Sequence, residues 1–117
     1  MAEPGNPLGG MAWKLGELGD QGAVQGAEPT LEFTQPGNVA GTGSCNRFTA
    51  TVTLSGEAIS FGPLAATRMS CSEQINAQQT KYFKGLEGAH RYVIQGNSLM
   101  LYTKAMDEPL VFIRTKI

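Results

Sequence analysis

The chain has 117 residues, 41% of them apolar, with nine basic against ten acidic side chains. That length makes one domain with a modest core. The balanced charge, with no Lys/Arg run or basic stripe, disfavours nucleic acid and an anionic membrane surface as partners, and no window reaches the ~20 apolar residues of a membrane span.

Fifteen glycines and six prolines predict many turns between short elements. Residues 1–11 read as a flexible N-terminal tether and 12–117 as a single domain. Met1 to Gly10 shows neither the basic n-region nor the apolar h-region of an export signal, so an exported form would have lost it. Trp13 to Leu18 alternates as a half-buried strand does, with Trp13 and Leu15 on one face. Gly19 to Pro29 is a polar, glycine-rich loop, and Thr30 to Thr34 alternates again. Pro36-Gly37 fits a type II turn, because Pro presets the first φ and Gly accepts the positive second one.

Asn38 to Gly43 reads as a strand. The cleanest period of two follows: Phe48, Ala50, Val52 and Leu54 on one face, with Thr49, Thr51, Thr53 and Ser55 on the other. Gly56-Glu57 turns this strand into Ala58 to Phe61, Gly62-Pro63 breaks it, and Ala65 to Met69 continues extended. One helix comes next. Ser70 and Glu73 form a capping box at its start. Ile75, Tyr82, Phe83 and Leu86 recur at helical spacing, with Gln78, Gln79, Lys81 and Lys84 on the other face, and Gly88 stops it. Ala89 to Gln95 and Ser98 to Thr103 form a hairpin about Gly96-Asn97. Leu110 to Thr115 is a last strand, apolar enough to be buried on both faces. Eight or so sequential strands must curl or close to protect their edges. The expected fold class is α+β, mainly β: a small antiparallel cracked or half β-barrel with one amphipathic helix packed against it.

Two strings hold the only two cysteines: Gly41-Thr42-Gly43-Ser44-Cys45-Asn46-Arg47-Phe48 and Thr67-Arg68-Met69-Ser70-Cys71. Together with Trp13-x-Leu15, Phe61-Gly62, the helix and Gly96-Asn97-x-Leu99-x-Leu101, their order and spacing resemble the META domain family, in particular its HslJ-like, heat-inducible lipoprotein branch. The resemblance implies a META/MxiM-like barrel in which Gly43, Cys45, Asn46, Arg47, Phe48, Thr67, Arg68, Met69 and Cys71 are motif residues of structural weight. It implies a non-enzymatic bacterial envelope protein, periplasmic or anchored to the outer membrane, with a stress-related interaction or maintenance role. The partner would be an envelope protein or, alternatively, an apolar ligand in the barrel interior. A monomer is expected. For an exported member, Cys45 and Cys71 would form a disulfide; two buried free thiols are the alternative.

Other chemistry finds little support. A thiol enzyme at Cys45 or Cys71 needs a base, and the sole histidine, His90, begins a predicted strand far away in sequence. No Cys-x-x-Cys spacing occurs. One His and two separated Cys make a poor zinc set, so neither metal nor cofactor is expected. Gly41-x-Gly43 lacks the remaining parts of a phosphate loop and is expected to permit a bulge or a close strand crossing. Asn46 is expected to bond its own turn or adopt left-handed φ. Arg47 and Arg68 could hold a ligand carboxylate or phosphate, though the simpler expectation is that they cover apolar surface and pair with nearby carboxylates. Asp107-Glu108 reads as a solvated turn. Trp13, Phe33, Phe48, Phe61, Tyr82, Phe83, Tyr92 and Phe112 read as core.

Overall fold

The computed structural model of the chain describes residues 12–116 apart from residues 20, 25 and 36. The expected tether over residues 1–11, and Pro36 of the expected turn, lie outside the described residues. The elements are β1 (Ala12–Leu18), β2 (Gln21–Gly22), β3 (Thr30–Gln35), β4 (Asn38–Thr42), β5 (Arg47–Ser55), β6 (Ala58–Phe61), β7 (Ala65–Ala66), α1 (Glu73–Glu87), β8 (Ala89–Gln95), β9 (Ser98–Thr103) and β10 (Leu110–Lys116).

Eight strands close a ring in the order β1-β3-β4-β5-β6-β8-β9-β10, and β10 returns to pair with β1. Every pairing is antiparallel, with β2 added to the end of β1 and β7 to the start of β5. Closure removes the sheet edges that would otherwise template pairing with other chains. One seam is thin. β6 and β8 share only the pair Ala58 and Arg91, reinforced by the Tyr92 N–H donating to the Glu57 carbonyl at 3.0 Å. The expected crack is this seam, and α1, which links β7 to β8, packs against β6 and β9.

Local chemistry explains the turns. Gly56 and Gly96 have φ of 60° and 58° at the first central position of their two-residue hairpin loops. Neither Glu57 nor Asn97 follows with a positive φ, which is the pattern of a type II′ turn and matches the twist of the flanking strands. Gly37, at φ 82°, has the positive angle expected of it. The β5 alternation is realised: Phe48 and Val52 are buried while Thr49, Thr51 and Thr53 are exposed.

The core runs along the barrel axis. Trp13, Leu15, Leu31, Phe33, Val39, Tyr82, Leu86, Leu99, Leu101, Leu110 and Phe112 are fully buried. Aromatic rings meet within it: Phe48 lies 6.0 Å from Tyr82 and 5.3 Å from the partly buried Phe83, both edge to face, and Tyr82 lies 6.1 Å from Phe112. Such geometry adds about 0.5–1.5 kcal/mol per pair beyond area burial.

Four expectations change. β10 is not buried on both faces. Leu110 and Phe112 point inward, but Ile113 is 46% exposed, because β10 is part of a single-layer wall whose outer face meets water. The helix N-cap is Ser72, not Ser70: the Ser72 Oγ accepts from the Ile75 N–H at 3.3 Å. Ser70 instead accepts from Asn76 Nδ2 at 3.3 Å, because the disulfide described below holds the chain extended through Cys71. The Gly19 to Pro29 loop contains the short strand β2. Strand pairing after Gly62 is confined to Ala65–Ala66; beyond it the Thr67 N–H still meets the Arg47 carbonyl, and Thr67 and Met69 are held by the Asn46 side chain. Gly88 does end the helix, with a negative φ of −96°. A Cβ there would come within 2.9 Å of Thr103 Oγ1, so space rather than a left-handed backbone demands the glycine.

Candidate functional site

The two cysteine strings meet at one end of the barrel. Cys45 and Cys71 form a disulfide, with Cα atoms 6.0 Å apart, across a sequence separation of 26 residues. Beside it Asn46, only 3% exposed, fastens the second string to the first. Its Oδ1 accepts from the Met69 N–H at 2.6 Å and from Thr67 Oγ1 at 2.8 Å, and its Nδ2 donates to the Met69 carbonyl at 3.1 Å. Asn46 was expected to serve its own turn. Its side chain reaches across to the second string instead, and the left-handed conformation falls to Ser44, at φ 94°. Ser44 is the only non-glycine residue with positive φ among those described.

The helix supplies the other half of the clamp. Gln79 Oε1 accepts from the N–H groups of Cys45 (3.3 Å) and Asn46 (2.7 Å). Gln78 is 8% exposed. It accepts from the Val24 N–H at 2.7 Å and donates to the Ala27 carbonyl at 3.0 Å and to Ser44 Oγ at 2.6 Å. Ser44 Oγ in turn donates to the Ala27 carbonyl at 2.7 Å, which offsets its backbone strain. Both glutamines were expected on the outer helix face; they turn inward because N–H groups outside any strand face them, that of Val24 for Gln78 and those of Cys45 and Asn46 for Gln79. Sequence carried a signal for one of them. Gln78 lies three residues after Ile75 and four before Tyr82, on the apolar stripe itself.

Two glycines let these parts approach, as the expected close crossing requires. A Cβ on Gly43 would fall 2.5 Å from the Phe83 ring and 2.8 Å from Gln79 Cγ. A Cβ on Gly41 would overlap the Thr30 carbonyl. That carbonyl accepts from the Tyr82 hydroxyl at 2.9 Å, while Thr30 Oγ1 accepts from the Thr42 N–H at 3.0 Å. Complete burial holds the Tyr82 phenol well above its ordinary pKa. Tyr92 is also raised, first by burial and then by the Glu57 carboxylate.

The remaining motif residues diverge from this knot. Phe48 points into the core, and Arg47 points outward from the same strand. Arg68 is exposed, and Met69 presents a side chain that is 62% exposed. The expected carboxylate pairing of Arg47 and Arg68 does not occur: among the described residues neither forms an ion pair. The residues beside Arg47 on the sheet, Thr42, Thr49 and Thr67, are uncharged. With both sulfurs in the disulfide, neither cysteine is a nucleophile. His90 is exposed on β8, and no group of three or more His, Cys, Asp or Glu among the described residues could hold a metal ion. The arrangement is an exposed chain segment tied to a packed barrel by a disulfide and a buried asparagine.

A small disulfide-clasped antiparallel barrel plugged by one helix is therefore the class of the protein. The META domain matches residues 6–117, and the chain belongs to the META domain family. None of the curated proteins matches it. Among solved structures it is similar to an NMR structure of a protein from Burkholderia xenovorans, with a TM-score of 0.79 at 24% identity, covering 100% of this chain and 93% of that one. A second NMR structure gives a TM-score of 0.75 at 24% identity over 96% and 95%. A DUF4847 family protein from Bacteroides vulgatus gives 0.59 at 16% identity over 76% and 60%. These likenesses speak for the fold alone.

Proposed function

We propose that this META-domain protein is a non-enzymatic module of the bacterial cell envelope that works by binding through the outer face of its barrel, in envelope maintenance under stress. The observation that carries this reading is the doubly fastened string from Thr67 to Cys71. A buried asparagine and a disulfide fix a stretch of backbone whose side chains face water. Ordering a surface before its partner arrives lowers the entropic cost of binding, and a structural disulfide suits the oxidising periplasm. The alternative, an apolar ligand inside the barrel, is less well supported, because such a ligand would have to displace the contacting rings of Phe48, Tyr82 and Phe112.

An amide NMR titration of the folded protein tests the choice, using envelope lipid extract in one arm and envelope protein extract in the other. The proposal expects shifts on outer-face amides with the protein extract and none at Leu31, Tyr82 and Phe112 with lipid. Lipid-induced shifts at those interior positions would overturn it in favour of the carrier reading.

A further inference from the structure

Outside the barrel, β3, β4, β5 and β7 carry a groove of about 670 Å³, within the roughly 300–1,000 Å³ of small-molecule sites. Register lays out its lining. Glu32 stands opposite Ala40, Ala40 opposite Thr49, and Thr49 opposite Ala65, one row straight across four strands. A second row lies two residues along. In it Thr42 stands opposite Arg47, and the Thr67 N–H donates to the Arg47 carbonyl at 3.1 Å. The hydroxyls of Thr30 and Thr42 sit 3.3 Å apart at the end of this row.

The groove is thus lined mainly by alanines and threonines, with two charged groups, Glu32 and Arg47. Neither has an ion-pair partner among the described residues. Their strands are two apart and their rows two residues apart. At about 4.8 Å between strands and about 3.4 Å per residue, the two backbones are about 12 Å from each other. Allowing for side-chain reach and the contact lengths at both ends, the gap suits a peptide of about two to four extended residues. A lone anion on Arg47 would face the Glu32 carboxylate across the groove, and an apolar chain would leave both charges unanswered. An occupant with a carboxylate at one end and an ammonium at the other answers both.

We propose that this groove binds short zwitterionic peptides of small residues, with the α-carboxylate on the Arg47 guanidinium and the α-ammonium on Glu32; the inference deepens the binding-module reading above and rests on it. A guanidinium grips a carboxylate with two parallel hydrogen bonds. Thr49, whose hydroxyl is not committed to another described residue, can meet an N–H or C=O of the peptide, and Thr67 Oγ1, whose proton goes to Asn46, can still accept from one of its N–H groups. Ala40 and Ala65 let its backbone lie close while giving no depth for a large side chain. The rim is already fixed, since Thr67 is held by Asn46 and Thr30 by Thr42.

The test is an amide NMR titration of the full chain with tetra-alanine, its C-terminal amide and its N-acetyl form. Free tetra-alanine should shift the amides of Glu32, Ala40, Thr42, Arg47 and Thr49, and each blocked form should bind about two- to five-fold more weakly, the worth of an exposed ion pair. Arg47→Gln should abolish the preference for free over amidated peptide yet keep the preference over the acetylated one; Glu32→Gln should do the reverse. Both side chains lie outside the core, and an unchanged spectrum of the free variants certifies the fold. Equal binding of free and blocked peptides, or no groove shifts at millimolar tetra-alanine, would overturn the proposal. The broader reading would still be judged separately, by shifts elsewhere on the outer face with envelope protein extract.

Discussion

The Asn46 side chain holds both backbone polar groups of Met69, accepting from its N–H at 2.6 Å and donating to its carbonyl at 3.1 Å. One amide thereby stands in for a strand partner where the sheet has ended. Asn46→Ala should lower stability by about 3 kcal/mol, since several hydrogen bonds are lost and groups at a largely buried site are left unmet. Urea unfolding followed by circular dichroism reads this as a fall in midpoint at unchanged slope. A change below about 0.5 kcal/mol would mean the disulfide alone holds the segment.

The disulfide itself should contribute about 3–4 kcal/mol by restricting a loop of this length in the unfolded chain. Cys45→Ser/Cys71→Ser should stay folded, because Asn46 and Gln79 still clasp the two strings, but with a midpoint lowered accordingly. Thiol counting on denatured, unreduced protein recovered from a periplasm should find no free thiol. Two reactive thiols per chain there would contradict the envelope reading.

Gly41 and Gly43 should differ in tolerance. At Gly43 the obstacle is the Phe83 ring and the Gln79 stem, which can shift, so Gly43→Ala should cost about 1–3 kcal/mol and be partly rescued by Phe83→Leu. At Gly41 the obstacle is the Thr30 backbone, which cannot yield without breaking the Tyr82 hydrogen bond, so Gly41→Ala should cost more. A double-mutant cycle between Gly43 and Phe83 checks the first part; equal costs at the two glycines would refute the second.

Stability should fall in alkali. Burial raises the Tyr82 pKa above its unfolded value of about 10. The unfolded state therefore releases its proton first, and the contribution of Tyr82 is full below pH ~10 and lost as pH rises toward the folded pKa. The limiting slope is about 1.4 kcal/mol per pH unit for one such group. Tyr92 is raised too and acts in the same window. Tyr82→Phe should flatten the alkaline fall while lowering stability near neutrality by about 1 kcal/mol, because the Thr30 carbonyl loses its donor. An unaltered alkaline slope in that variant would show the loss to come from elsewhere.

Much of this protein is legible in its sequence, because the relevant physics is local. The β5 alternation follows from strand geometry, the hairpins at Gly56 and Gly96 from the φ each turn needs, and the helix from the spacing of Ile75, Tyr82 and Leu86. The order and spacing of the two cysteine strings pointed to the family, and the cysteine pair in them was expected as a disulfide. Tertiary structure alone decided how β10 returns to β1, which face of β10 meets water, and why Asn46, Gln78 and Gln79 turn inward. Those choices depend on partners far away in sequence: Gln78 meets Val24 across 54 residues and Asn46 meets Met69 across 23. A polar side chain is buried only where such partners converge, and no local pattern records that convergence. The same holds for the groove. Glu32, Arg47 and Ala65 share a surface only because β3, β4, β5 and β7 pair in one register, and a slip of one residue would turn every one of them to the other face.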